Sequence, residues 1–513
     1  MNYRKLVAPL FVLLLTMGIV FTIPSKLWAA AEEQASTDSF LFSSIKRIIT
    51  AITNHMNDVL FYKVPFLFDM PLLVIWLIFG AVFFTVRLGF INIFMFGHAV
   101  KVVSGKYDNK DDPGEVSHFQ ALTAAVSATV GLGNIAGVAV AVAMGGPGAV
   151  VWMSIAGIFG MSTKFAEVVM GHKYREIDEN GKVSGGAFHY LRKGLAEKNM
   201  PRLGRVLAAI FAVLCIIGSI GSVNIFQANQ TVALLKDNFT LLGKIDWLVA
   251  LILAVSVGFV LIGGIKRIAS TAEKIVPLMA IVYVSACLIV IFANIEHLGE
   301  AIRIMFVDAF GLSAVGGGIT GAIIAGFRRA TFSNEAGVGS APIAHAAART
   351  KEPVREGCVA LLEPFIDTVV ICFMTGLVIT ITGVYTDPAV AKKGIIMTSM
   401  AFETVIYWFP MVLSFAVALF AFSTMITWSY YGERAWEYIF GKKNIRIFHI
   451  IFCVSTFIGG MIDLELIVNL VDALMIIMAV PNLIGLYILS NDLSKDLASY
   501  KKRLKQGEFD TAG

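Results

Sequence analysis

Charge is scarce in this chain. Asp, Glu, Lys and Arg make up 15% of its 513 residues, where a soluble domain carries about a quarter, and so small a supply cannot coat a water-facing globule. Cysteine is rare too. The five present, at positions 215, 287, 358, 372 and 453, sit in apolar stretches with no CxxC pair and no histidine at ligand spacing. That argues against disulfides and thiolate metal sites, and reads them as small packing residues. No P-loop, HExxH or catalytic-triad signature occurs, so nothing points to ATP hydrolysis or another enzyme chemistry, and no cofactor is expected. The net charge of +5 is scattered over loops and does not suggest nucleic acid.

Apolar residues fill the space left by charge, at 57% of the chain. Runs of about 20 apolar residues recur along its length, which predicts an all-α polytopic membrane protein. Eleven spans are expected, near 66–87, 117–144, 148–171, 206–235, 246–264, 275–293, 311–346, 358–381, 408–431, 446–463 and 466–489. Before them, residues 1–31 combine Arg4 and Lys5, an apolar core from Leu6 to Ile23, and Ala29-Ala30-Ala31. This reads as a signal peptide, or, given its long core, an uncleaved anchor. Residues 32–65 read as an external segment with an amphipathic helix. The transporter-like body spans 66–490, and 491–513 reads as a tail.

Lys and Arg set the orientation. Lys101, Lys106, Lys110, Lys173, Arg175, Arg192, Lys193, Arg202, Arg205, Lys266, Arg267, Lys274, Arg349, Lys351, Arg355, Arg434, Lys442, Lys443, Arg446 and Lys501-Lys502-Arg503 fall in loops on one side. The other side holds only Lys236, Lys244, Arg303, Lys392 and Lys393. The excess marks the cytoplasm, with the N-terminus outside and the C-terminus inside a cell (inner) membrane.

Two spans carry an unusual interruption. "ATVGLGNIAGV" at 128–138 breaks the second, and "NEAGVGSAP" at 334–342 breaks the seventh. Each is a Gly-x-Gly beside a polar residue, and Val130 to Asn134 resembles Ala336 to Ser340. The breaks lie five segments apart and so run in opposite directions. That is the trace of a 5+5 inverted repeat, about 117–293 and 311–489, with one extra N-terminal helix. Broken backbone at membrane depth is tolerated only where it is buried or lines a cavity. Its free N–H groups suit an anion and its carbonyls a cation.

The stretches "FQALTAAVSATVGLGNIAGVAVAVAMGGPGAVVWM" (119–153), "FGMSTKFAEVVMGHKYRE" (159–176), "GGAFHYL" (185–191), "NIFQANQ" (224–230) and "FRRATFSNEAGVGSAPIAHAAA" (327–348) closely resemble the alanine or glycine:cation symporter family. The resemblance covers about residues 65 to 495. It implies a leucine-transporter-type fold and sodium-coupled import of a small neutral amino acid, alanine or glycine. It also implies a substrate site of Gly131, Gly133 and Asn134 in the first break, Gln227, then Asn334, Glu335 and Gly337 in the second, with Trp428 as an aromatic wall. The implied sodium oxygens are Ser423 and Thr424 with the carbonyls of Val130 and Gly131. Leu132 stands where many relatives have Thr, and Ala330 where a Gly is common.

The residue chemistry agrees. A zwitterion needs donors for its carboxylate and acceptors for its ammonium, and broken helices supply both. Sodium is a hard ion that wants oxygens. Glu335 is the one acid inside a break, facing an ammonium, an ion or an arginine, or bracing the break through a salt bridge. Other polar residues read more plainly: Glu363 and Asp367 as a solvated helix face near the cytoplasmic mouth, or a gate; Lys164 and Glu167 as an intrahelical pair; Asp463 and Glu465 as a surface turn near Asp472. His189 and His345 lack ligand companions. The expected partners are the amino acid, sodium and lipid, with the chain a monomer. A proton-coupled carrier, a channel or a receptor are the competing readings.

Overall fold

The structure is a computed structural model that describes residues 62–64, 70–109, 111–239, 245–261, 264–311, 318–390, 393–462 and 464–509, with the side chains of 63, 64, 264 and 464–472 excluded. The expected leader at 1–31, nearly all of the external segment, Lys110, Lys244, Lys392 and Asp463 lie outside the described residues, as do the side chains of Glu465 and Asp472.

Helices dominate. In chain order we label the principal ones α1 (Leu72–Arg87), α2 (His118–Thr129), α3 (Val138–Gly145), α4 (Gly148–Lys173), α5 (Pro201–Asn238), α6 (Asp246–Leu261), α7 (Gly264–Ala293), α8 (Leu298–Phe310), α9 (Gly318–Asn334), α10 (Pro342–His345), α11 (Pro353–Thr382), α12 (Phe409–Phe440), α13 (Ile445–Gly459) and α14 (Leu464–Gln506). Among the described residues the strands are two small hairpins, Lys63–Val64 with Met70–Pro71 and Glu176–Ile177 with Val183–Ser184.

Among the described residues six helices are long and apolar enough to cross a bilayer, and α2 with α3 makes a seventh if that bent pair counts as one span. This is a polytopic α-helical membrane protein. Its surface agrees, because Phe259, Ile289, Phe292, Phe415 and Ile450 lie exposed in a pattern that lipid, not water, can cover. The eleven expected segments are not matched one for one. Helices α1 and α6 have 16 residues, α9 has 17 and α13 has 15. At about 1.5 Å per residue these fall short of the roughly 30 Å hydrocarbon layer. The last segment overruns its expected end at 489. Helix α14 continues to Gln506, and Arg503 forks onto both carboxylate oxygens of Glu352 at 2.7 Å.

The basic loops gather on one face. Arg175 donates to the carbonyls of Pro113 and Thr350 at 2.7 and 2.9 Å, Lys442 stands 3.6 Å from Asp178, and Lys173 pairs with Asp496 at 2.6 Å. Helix α4 runs through the protein and packs on α9 and α11. Small residues let it come close: a Cβ on Gly171 would sit 2.4 Å from Pro342, and one on Gly160 would sit 2.9 Å from Ala336.

Candidate functional site

A capping box starts α2, with Ser117 and Gln120 exchanging side-chain and backbone bonds. The helix stops at Val130, whose backbone swings to φ −75°, ψ 96°. A wide π-helical turn, Gly133–Gly137, then leads into α3, and the pair is bent by 50°. Side chains meet the backbone groups freed here. Gly131 N–H donates to Asn134 Oδ1 at 2.8 Å, Leu132 N–H to Gln227 Oε1 at 3.2 Å, and the Ile135 carbonyl accepts from Thr398 at 3.1 Å. At membrane depth such partners are obligatory.

The second break follows Asn334, the last residue of α9. Glu335 takes a left-handed φ of 57°, a conformation that costs a non-glycine residue about 1–2 kcal/mol. Gly337 and Gly339 follow at φ 91° and 88°. The strain is held by three partners. Trp428 Nε1–H donates to Glu335 Oε1 at 2.7 Å, the Ser340 hydroxyl donates to Glu335 Oε2, and Asn482 Nδ2–H donates to the Gly337 carbonyl at 2.7 Å.

Two helices tie the breaks together. On one side α12 sends Thr424 to the first break and Trp428 to the second. Thr424 Oγ1 donates to the Ser127 carbonyl at 3.0 Å and lies 2.5 Å from where a Cβ on Gly131 would be. On the other side α11 opens into a π-helical stretch, Phe365–Cys372. Its Asp367 accepts from Asn134 Nδ2 at 2.7 Å, Ser333 Oγ at 2.9 Å and Thr368 Oγ1 at 2.6 Å. Gly133 closes the contact, since a Cβ there would meet Ser333 Cα at 3.3 Å. Asn134, Thr424, Glu335, Asp367 and Trp428 are all buried.

The model of the Sodium:alanine symporter family matches residues 48–512. The chain belongs to this family. It is therefore a membrane transporter and not an enzyme. It is 39% identical to the sodium/alanine symporter AgcS of Methanococcus maripaludis over 84% of the chain and 94% of that protein. It is 35% identical to the probable sodium/glutamine symporter GlnT of Bacillus subtilis, over 90% and 93% respectively. The amino-acid carrier protein AlsT of the same bacterium is 36% identical over 83% and 89%.

Within this family member the expected site residues divide into groups. Gly131, Gln227 and Thr424 come together, with Gln227 Nε2 3.3 Å from a Cβ position on Gly131. Glu335 and Trp428 form a second group at the other break. Asn334 turns away to donate to Thr368 Oγ1 at 2.9 Å, and Gly337 faces Leu77 and Leu483, so neither joins the Gly131 group. Ser423 presents its carbonyl to the Ser127 hydroxyl at 3.1 Å, while its own hydroxyl bonds back to Phe420. Val130 lies buried at the end of α2.

Two expectations are corrected. Glu363 and Asp367 are not a solvated face: both are buried at 1% and 0% exposure, because α11 packs its whole length against α4. Lys164 does not pair with Glu167 along the helix. Its ammonium is 2.9 Å from Glu363, and Glu167 accepts from Asn482 at 2.7 Å. Three polar residues not expected at the substrate or ion site lie at the breaks: Ser127 and Thr427, whose hydroxyls bond each other at 3.2 Å, and Asp367. An acid inside the apolar run "FIDTVVICF" carries the same membrane-acid signal that singled out Glu335.

Proposed function

We propose that the chain is a sodium-coupled symporter that imports a small neutral amino acid, alanine or glycine, by alternating access. The observation that carries this reading is the junction of the two breaks, crossed by α12 on one side and α11 on the other. Backbone N–H groups there suit a carboxylate. Glu335 and backbone carbonyls suit an ammonium. The oxygens of Thr424, Thr427, Ser127 and Ser423 form a neutral, oxygen-rich cluster of the kind a hard cation prefers. On this reading the buried Trp428 bounds the amino-acid side chain beside Glu335, so that a methyl group is accepted and a branched side chain is not.

The 5+5 reading has support in the order of elements. After each break come a long helix (α4, α11), a second long helix (α5, α12), a short one (α6, α13) and a long one with an internal proline, Pro277 in α7 and Pro481 in α14. The short pair, α6 and α13, pack on each other. On this reading the short helices, α1 and α9 also span, giving eleven, and the basic face is cytoplasmic.

Uptake of labelled alanine into proteoliposomes tests the proposal. An inward sodium gradient should drive accumulation, glycine should compete and leucine should not. Accumulation indifferent to sodium would overturn the sodium coupling, and no uptake of any small neutral amino acid would overturn the substrate class.

A further inference from the structure

Five charged or titratable side chains form one buried row that the transport site does not use. His118 on α2 opens it, its Nδ1 against Glu356 Oε2. Glu356 Oε1 meets His345 Nδ1 at 2.6 Å. His345 Nε2 faces Glu363 Oε2 at 3.6 Å, and Glu363 Oε1 meets Lys164 Nζ at 2.9 Å. Base and acid alternate throughout, and none of the five is more than 1% exposed. The outer end reaches water: His118 Nε2 lies 4.0 Å from Asp108, whose carboxylate is 41% exposed on the basic face. The inner end lies on α4 and α11, the helices that flank the second break.

We infer that this row is a proton relay joining the basic face to the second break, so that each transport cycle moves a proton between that face and the opposite side of the membrane. The inference rests on the transport reading above. Charge counting supports it. Lys164 with ionised Glu356 and Glu363 sums to one negative charge, so one proton held by either histidine makes the row neutral. Membrane interiors penalise any other sum. A row with two homes for one proton can pass it along.

Each step breaks one N–H or O–H bond and makes another. A proton arriving on His118 Nε2 releases that on Nδ1 to Glu356. Glu356, protonated on Oε2, must turn its carboxyl to pass the proton to a bare His345 Nδ1, and the imidazolium gives up its Nε2 proton to Glu363. The 3.6 Å gap there is wider than a hydrogen bond, so the ring or the carboxyl must turn. Arrival neutralises Glu363 and frees Lys164 from its ion pair, which loosens α4 from α11 beside the break. Other groups set the field. Glu167 and His172 lie on α4, and Arg175 beyond it is held by the carbonyls of Ala346 and Ala348 at 2.6 Å. Glu335 sits at the break, and Tyr431 on α12 lies within the field of Glu335 and Glu363.

The test is a luminal pH dye in proteoliposomes during sodium-driven alanine uptake, beside exchange of labelled alanine at equal concentrations. Wild-type protein should change the luminal pH in proportion to alanine taken up. His345→Gln keeps size and polarity but cannot carry a proton through both ring nitrogens, and should lose the dye signal while retaining exchange. His118→Gln, at the far end from the break, should do the same and covers the case in which the first variant does not fold. A wild type that takes up alanine under a sodium gradient with no luminal pH change overturns the relay alone, as does an undiminished dye signal in both variants. A wild type without exchange overturns the transport reading and takes the relay with it.

Discussion

The indole N–H of Trp428 reaches Glu335 Oε1 at 2.7 Å and fastens the middle of α12 to the second break. Trp428 is fully buried, so it is not an aromatic anchor at the lipid–water boundary. Trp428→Phe keeps most of the ring and removes the donor. A hydrogen bond to a charged group is worth about 1.5–3 kcal/mol, so the apparent affinity for alanine should fall roughly 10- to 150-fold. Trp428→Ala should admit leucine or valine as competitors, which the wild type excludes. A variant with the wild-type competition profile would show that Trp428 does not bound the amino acid.

Gly131 is pressed against Thr424. A methyl at 131 would lie 2.5 Å from Thr424 Oγ1 and 3.3 Å from Gln227 Nε2. Overpacking of this kind costs about 1–3 kcal/mol, and Gly131→Ala should raise the sodium needed for half-maximal uptake. Thr424→Ala should also raise it, through loss of an oxygen, with uptake retained at high sodium. Together the two should cost less than their sum, because removing the hydroxyl makes room for the methyl. Additive effects on sodium dependence would separate the two positions.

Asp367 gathers donors from both breaks, Asn134 on one and Ser333 on the other. Asp367→Ala leaves buried donors unpartnered, at about 1–3 kcal/mol each. Unfolding can be followed by reaction of a fluorogenic maleimide with the buried cysteines 215, 287, 358 and 372. The alanine variant should expose them at a clearly lower temperature than the wild type, and Asp367→Asn at an intermediate one. An unshifted transition would mean that Asp367 does not brace the breaks.

Lys442 and Asp178 stand 3.6 Å apart, so the loops that carry them share a side. Cysteines at Lys173 and Lys442 should be shielded from an impermeant thiol reagent in intact cells. One at Lys393, which is exposed, should react. Labelling of position 442 from outside would invert the orientation.

The membrane class and both interruptions were legible in the sequence because they rest on local facts. An apolar run can only be buried or lie in lipid, and a Gly-x-Gly beside a polar residue inside it weakens the helix at that point. The family was legible because long motifs surround those same breaks. Which polar group meets which was not. Lys164 and Glu167 have helical spacing, yet Lys164 pairs with Glu363 on another helix. Asp367 looked like surface until the packing of α11 turned it onto Asn134 and Ser333. In a medium without water a charge takes the best partner that packing brings near, however distant in sequence. Local spacing therefore told where backbone would be broken and which residue types would stand beside the breaks. Only the mutual packing of α4, α11 and α12 decided that two breaks far apart in the chain lie side by side, and which side chains hold them there.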